Sequence, residues 1–124
     1  MSYGSNYDTI PGLVASASLA AKQFHLVKLS TTSGQVKVAA AATDAIIGVL
    51  QNNPAAGEEA EVAYQGIAKC IAGGAVTKGL PVTSNSTGRA ANTTTGNNRL
   101  VGMALETTTT DGDIFPCLLS LSNH

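Results

Sequence analysis

From Phe24 onward the apolar positions of the chain recur with a period of two. Val27 and Leu29 share a face with His25 alongside, while Lys28 and Ser30 fall on the other. After a Ser33-Gly34 turn, Val36 and Val38 alternate with Gln35 and Lys37, the pattern of a hairpin with one buried face. Ile46–Leu50 is an apolar run with a glycine at its centre. It predicts a buried strand in which Gly48 marks a bulge or a close backbone approach. Asn52-Asn53-Pro54 and Ala56-Gly57 are turn signals. Residues 59–64 alternate again, with Ala60, Val62 and Tyr64 on one side, and residues 67–71 continue after Gly66. Gly73-Gly74 and Gly79 punctuate a link. Pro81 and Val82 then open a short strand whose partner is residues 89–92, and 93–98 is a polar loop. Residues 100–105 form a second buried run centred on Gly102. Residues 113–121 close the series with Phe115, Cys117, Leu119 and Leu121 on one face, and Pro116 within it argues for an edge position. About nine short strands with closely spaced turns predict an all-β protein, a small barrel or sandwich.

The two glycine-centred runs are related. Gly102 lies 54 positions after Gly48, and the same offset carries Gly34 to Gly88, Leu26 to Leu80 and Gln35 to Arg89. Gly57 and Gly112 miss it by one, as a single loop insertion would cause. Residues 21–66 and 75–121 therefore read as two copies of one supersecondary unit. The other reading is two unrelated sets of hairpins with ordinary turn chemistry. Gly48 and Gly102 are structural positions on the first reading.

Ahead of these units, residues 1–12 are polar, with two tyrosines, Gly4, Pro11 and Gly12. They read as an extended N-terminal arm preceding a single domain over 13–124. One reading is a disordered tail. The other is an arm that orders on a neighbour, with Tyr3, Tyr7 and Ile10 as anchors, because amphipathic tyrosines suit interfaces. Residues 13–22 are rich in alanine, which on propensity alone favours a short helix.

Composition narrows the function classes. One domain fits the 124 residues. Only 12% of residues are charged, about half the usual share. Ser, Thr, Asn and Gly do the solvating, or other subunits cover the surface. A net charge of −1 gives no basic footprint for nucleic acid and no cationic face for a membrane. No apolar run reaches the length of a span, and the N-terminus lacks the charged and apolar blocks of a signal peptide. Cys70 and Cys117 sit in apolar runs and read as buried free thiols, with a disulfide as the alternative.

No catalytic, cofactor or metal site emerges. His25 stands alone in an apolar strand, and no CxxC, HExxH, GxSxG or P-loop spacing occurs. Asp111-Gly112-Asp113 matches a fragment of a calcium loop, but threonine or apolar residues fill the other ligand positions, so it reads as a turn. Glu58, Glu59 and Glu61 read as a solvated strand edge. Asn85-Ser86-Thr87 and Asn92-Thr93-Thr94 match the glycosylation sequon and, with no secretory signal, read as turns.

Several ordered segments carry a resemblance. They are Ala21-Lys-Gln-Phe-His-Leu-Val-Lys-Leu29, Ala45-Ile-Ile-Gly-Val-Leu-Gln-Asn-Asn-Pro-Ala-Ala-Gly57, Val62-Ala-Tyr-Gln-Gly-Ile-Ala-Lys69 and Arg99-Leu-Val-Gly-Met-Ala-Leu105. Over residues 13–121 the chain resembles the small capsid cement, or head-decoration, proteins of tailed bacteriophages. The resemblance implies a β-rich structural protein on the outer surface of the virion capsid. It implies bridging of major capsid proteins, self-association as a homotrimer, stabilisation of the expanded shell, and no catalytic residues. Such a protein is made in the host bacterial cytoplasm. Assigning Tyr3, Tyr7 and Ile10 to capsid contact rests on composition alone. The alternatives are another phage component (tail, head fibre or baseplate) or a carbohydrate-binding β module, which would need an aromatic platform this chain hardly has.

Overall fold

The computed structural model describes residues 6–93 and 99–123. Tyr3, the loop residues 94–98, the side chain of Leu121 and His124 lie outside the described residues. The alternation read from the sequence becomes ten strands among the described residues. They are β1 (Asn6–Thr9), β2 (Val14–Ala15), β3 (Leu26–Leu29), β4 (Gln35–Val38), β5 (Ile46–Leu50), β6 (Val62–Gly73), β7 (Pro81–Ser84), β8 (Ala90–Asn92), β9 (Arg99–Ala104) and β10 (Asp111–Asn123).

Five of them close a barrel, in the order β6–β8–β7–β9–β10 and back to β6. The β6–β10 ladder is long, from Asp111↔Gly73 to Ser120↔Gln65. The opposite closure, β6 to β8, is a single parallel pair, Ala72↔Ala90. The other strands extend outward from the start of β6: β5 pairs with β6, β3 with β5, β4 with β3, and β2 runs parallel to β4. Along the free edge of β6 lies β1, from Asn6↔Ile67 to Thr9↔Ala63. The fold is an all-β small barrel with added strands.

Strands β3–β6 and β7–β10 share one pairing pattern. In each set the first strand is antiparallel to both the second and the third, and the third is antiparallel to the fourth. Val27↔Gly48 corresponds to Val82↔Gly102, and Val49↔Ala63 to Met103↔Leu118. The register counterpart of Leu26 is therefore Pro81, one residue beyond the Leu80 that the uniform offset picks.

Two hydrophobic cores result. The larger fills the barrel and includes Leu26, Val49, Ala63, Cys70, Val82, Val101, Phe115, Cys117 and Leu119. The smaller lies beneath the N-terminal segment and holds Leu13, Ala15, Leu19, Val27, Val36, Leu50, Ala60 and Val62. Adjacent residues Leu26/Val27, Val49/Leu50 and Val62/Ala63 go to opposite cores. The wall β3–β5–β6 is thus buried on both faces. This explains why these strands read as short unbroken apolar runs rather than strict alternation. It also sets the phase of β6. Val62 and Ala63 are both buried, and Tyr64, expected on the same side as Val62, is 37% exposed.

Residues 13–22 form no helix. Ala15 N–H donates to the Glu58 carbonyl, Ser16 N–H to Val36 and Leu19 N–H to Pro54. These cross-chain bonds replace the helical ones because Leu13, Ala15 and Leu19 close the second core, and burial outweighs alanine's modest preference. Pro116 is also not on an outer edge: β10 lies between β6 and β9, and Pro116 is fully buried opposite Lys69. The β9 ladder, however, ends at Cys117↔Ala104, and the Pro116 carbonyl accepts from Leu105 N–H just past it. The nitrogen without a proton therefore also faces β9, where only the bond from Leu105 N–H is made, and the ladder ends there.

Candidate functional site

The sequence places candidate contact residues in the N-terminal segment, and the structure ties two of them down. Residues Asn6–Thr9 form a strand on β6 of the same chain, and Ile10 N–H donates to the Val62 carbonyl at 3.0 Å. Half-buried Tyr7 packs on the barrel core, and Ile10 packs on the second core. The Tyr7 hydroxyl donates to Glu61 Oε2 at 2.5 Å. Burial, the hydrogen bond to Glu61 and that carboxylate's charge together push the Tyr7 hydroxyl up to about 12. These two side chains hold the segment to its own domain. Removing residues 1–12 would strip a strand from the sheet.

Next to this strand is an acidic rim. A hollow of about 290 Å³ is lined by Thr9, Ile10, Pro11, Asn52, Glu59, Ala60 and Glu61. Asn52 clamps it: its Oδ1 accepts from Glu61 N–H, and its Nδ2 donates to the Glu59 carbonyl. Among the described residues, no group of three or more His, Cys, Asp or Glu side chains is arranged to hold a metal ion.

A polar cluster lies between the two halves. His25 is 2% exposed. Its Nδ1 lies 3.3 Å from the Gln23 carbonyl, and Arg89 Nε points at its Nε2 from 3.5 Å. Those neighbours fit the tautomer with the proton on Nδ1. Arg89 in turn meets Asp111 at 2.7 Å. Burial holds the His25 imidazole below its ordinary value, and the Lys22 and Arg89 charges act in the same direction. Phe24, beside it, has φ of +70°, an uncommon conformation for an aromatic residue. Its N–H donates to the Leu50 carbonyl, and its carbonyl accepts from Ile71 N–H. The strained residue thus stitches β5 and β6 together. The arrangement joins the two halves through His25, Arg89 and Asp111.

Cys70 and Cys117 are free and fully buried, diagonal to one another across β6 and β10. A hydrogen bond between the thiols and their burial push Cys70 well up, so it stays protonated. Gly48 and Gly102 hold matching places. A Cβ on Gly48 would sit 2.2 Å from the Ala63 carbonyl oxygen, and one on Gly102 would sit 2.0 Å from that of Leu118. Both are close backbone approaches.

One surface was not singled out from the sequence. Pro81, Met103, Leu118 and Ile67 form a row of directly paired residues across β7, β9, β10 and β6. Met103 and Leu118 are 38% and 40% exposed. Beside the row, Gly79, Leu100, Gly102 and Ser120 complete a hollow of about 350 Å³. The signal was present: Ile114-Phe-Pro-Cys-Leu-Leu119 does not alternate, so β10 carries apolar residues on both faces.

With this geometry in hand, comparison with known proteins gives two findings. A model of the phage cement protein family matches residues 14–119. The chain belongs to the phage cement protein family. It is accordingly a structural protein of phage. The solved structure of the N base of head fiber gp8.5 in bacteriophage phi29 is also similar. Its TM-score is 0.70 at 19% identity, covering 90% of this chain and 93% of that one. At that identity the likeness speaks for the fold alone. No curated protein matches. The matched region takes in the barrel core, the second core apart from Leu13, and the row on β7, β9 and β10, but not β1, which precedes it.

Proposed function

We propose that this cement protein binds the outer surface of a phage capsid, bridges neighbouring major capsid proteins and stabilises the expanded shell. In this reading it acts as a homotrimer and catalyses nothing. The observation that carries the proposal is the family match across most of the chain. The low charge content supports it, since a surface of Ser, Thr, Asn and Gly suits many modest contacts repeated by symmetry. Capsid contact by the N-terminal segment remains part of the proposal for Tyr3. Tyr7 and Ile10 serve it indirectly, by fixing where that segment leaves the domain.

Capsids expanded without the protein provide the test. Added protein should bind saturably, seen as added mass per shell, and raise the temperature at which shells break. Bare shells with labelled tails would overturn the reading. Removing residues 1–5, which leaves β1 in place, should weaken binding at unchanged circular dichroism; unchanged binding would dismiss the N-terminal contact. A second reading, the base of a head fibre, is favoured by the likeness to the phi29 head fiber N base. It predicts sparse binding with no gain in shell stability.

A further inference from the structure

The β7–β8 hairpin belongs to the second half, and its tip, residues 85–89, docks on the first. Within the tip the bonds are local. Asn85 Oδ1 accepts from Thr87 N–H, the Thr87 hydroxyl and Arg89 N–H, and Asn85 N–H donates to the Arg89 carbonyl. The turn therefore holds its own shape. Outside the tip, the Gly88 carbonyl accepts from Leu26 N–H of β3 at 2.7 Å, and a Cβ on Gly88 would run into Val38 Cγ1 of β4. Arg89 completes the docking, with its Nε on His25 Nε2 and its other end on Asp111. Behind the tip, β8 meets β6 at the pair Ala72↔Ala90 alone.

We infer that this tip is a flap latched by neutral His25, and that protonation of His25 releases it while the rest of the barrel stays folded. Three observations carry the inference. Nε2 can accept from Arg89 only while it lacks a proton, so a charged ring turns the latch into two opposed donors. The charged groups facing the ring are Lys22, just ahead of it in the chain, and Arg89, both cationic, while Asp111 is engaged by Arg89. β5 and β6 reach this segment through backbone N–H groups, that of Leu50 on the His25 carbonyl and that of Ile71 on the Phe24 carbonyl. Second, the ring is 2% exposed, so water solvates its charge only once the tip has lifted. Third, the tip can lift as a unit. Its internal bonds go with it, and its base stays tied by Pro81↔Met103, Val82↔Gly102 and the Thr83 hydroxyl on the Ala42 carbonyl. Opening and the uptake of one proton are thereby linked. The open population should rise by up to about tenfold per pH unit below about 6.5. The latch rests on the fold and is independent of the capsid reading.

Amide hydrogen exchange of the full chain, read by NMR as protection factors from about pH 7.5 to about pH 5 on either side of the histidine range, tests it. Leu26 N–H reports the tip, because its acceptor is Gly88, and Cys117 N–H reports the β6–β10 ladder. Leu26 should be less protected than Cys117. Its protection should fall by up to about tenfold per pH unit below about 6.5, in step with the titration of the His25 ring signal. His25→Gln should remove that fall. Should this variant not fold, the wild type still decides, through the match between the Leu26 protection curve and the His25 ring titration. Equal protection of Leu26 and Cys117 at every pH would overturn the inference, since the tip would then open only with the whole fold. So would a Leu26 protection that does not change with pH, one that departs from the ring titration, or one that falls just as steeply in His25→Gln.

Discussion

His25 shows how one residue's surroundings decide its role. It is buried between two cationic groups, Lys22 and Arg89, with Asp111 reaching it only through Arg89, and its Nε2 accepts from Arg89. Protonation would turn that acceptor into a donor and set a third positive charge beside the others. The native state therefore binds this proton less readily than the unfolded chain does. Stability is complete above the ordinary histidine range and falls as pH drops below about 6.5 toward the lowered native value. The thermal midpoint should decline over that interval in the wild type, and His25→Gln should flatten the decline. Equal slopes in the two proteins would exclude His25 as the cause. Asp44 acts lower on the scale. The Ala40 N–H and the Lys28 ammonium hold its carboxyl down, so its contribution is present above the usual carboxylate range and fades only in more acidic solution. The sequence showed that His25 was solitary among catalytic residue types. It did not show Arg89, 64 positions away, because long-range polar partners leave no local periodicity.

At the scale of elements, the paired glycines carry the clearest prediction. Gly48→Ala and Gly102→Ala each drive a methyl into a backbone carbonyl of the neighbouring strand, with no flexible group to give way. Each should cost roughly 3 kcal/mol, the upper end of overpacking penalties, read as a shift in urea midpoint. A loss below ~1 kcal/mol for both would mean that the strands can part without consequence. These glycines, both buried apolar runs and the hairpin turns were legible because strand periodicity and turn chemistry are local. The offset of 54 between Gly48 and Gly102 recurs in the register pairs as 54 or 55, with Val27 and Ala63 at the longer value. What sequence could not provide was which strands are buried twice. Alternation put Tyr64 on one side with Ala60 and Val62; those two belong to the second core, but Tyr64 lies outside it and is 37% exposed. The alanine-rich segment failed for a related reason: its three buried side chains serve a core assembled from distant residues. The N-terminal segment looked like a free arm because four polar residues (Asn6, Tyr7, Asp8, Thr9) do not advertise a strand. They become one because β6 leaves its edge open there.

The whole molecule is a ring with unequal joints. β6 and β10 are zipped along most of their length, whereas β6 and β8 meet at one pair of alanines. Cooperative hydrogen bonding protects the first joint, and little protects the second. Amide exchange should therefore be faster at Ala72 and Ala90 than at Cys117. Equal protection would show that surrounding contacts make up the difference. In mechanical terms, the barrel has a hard spine and a soft seam. A protein strained by a shell that flexes would yield first at that seam, opening like a split collar, while the spine keeps the two halves in register for the ring to snap shut again.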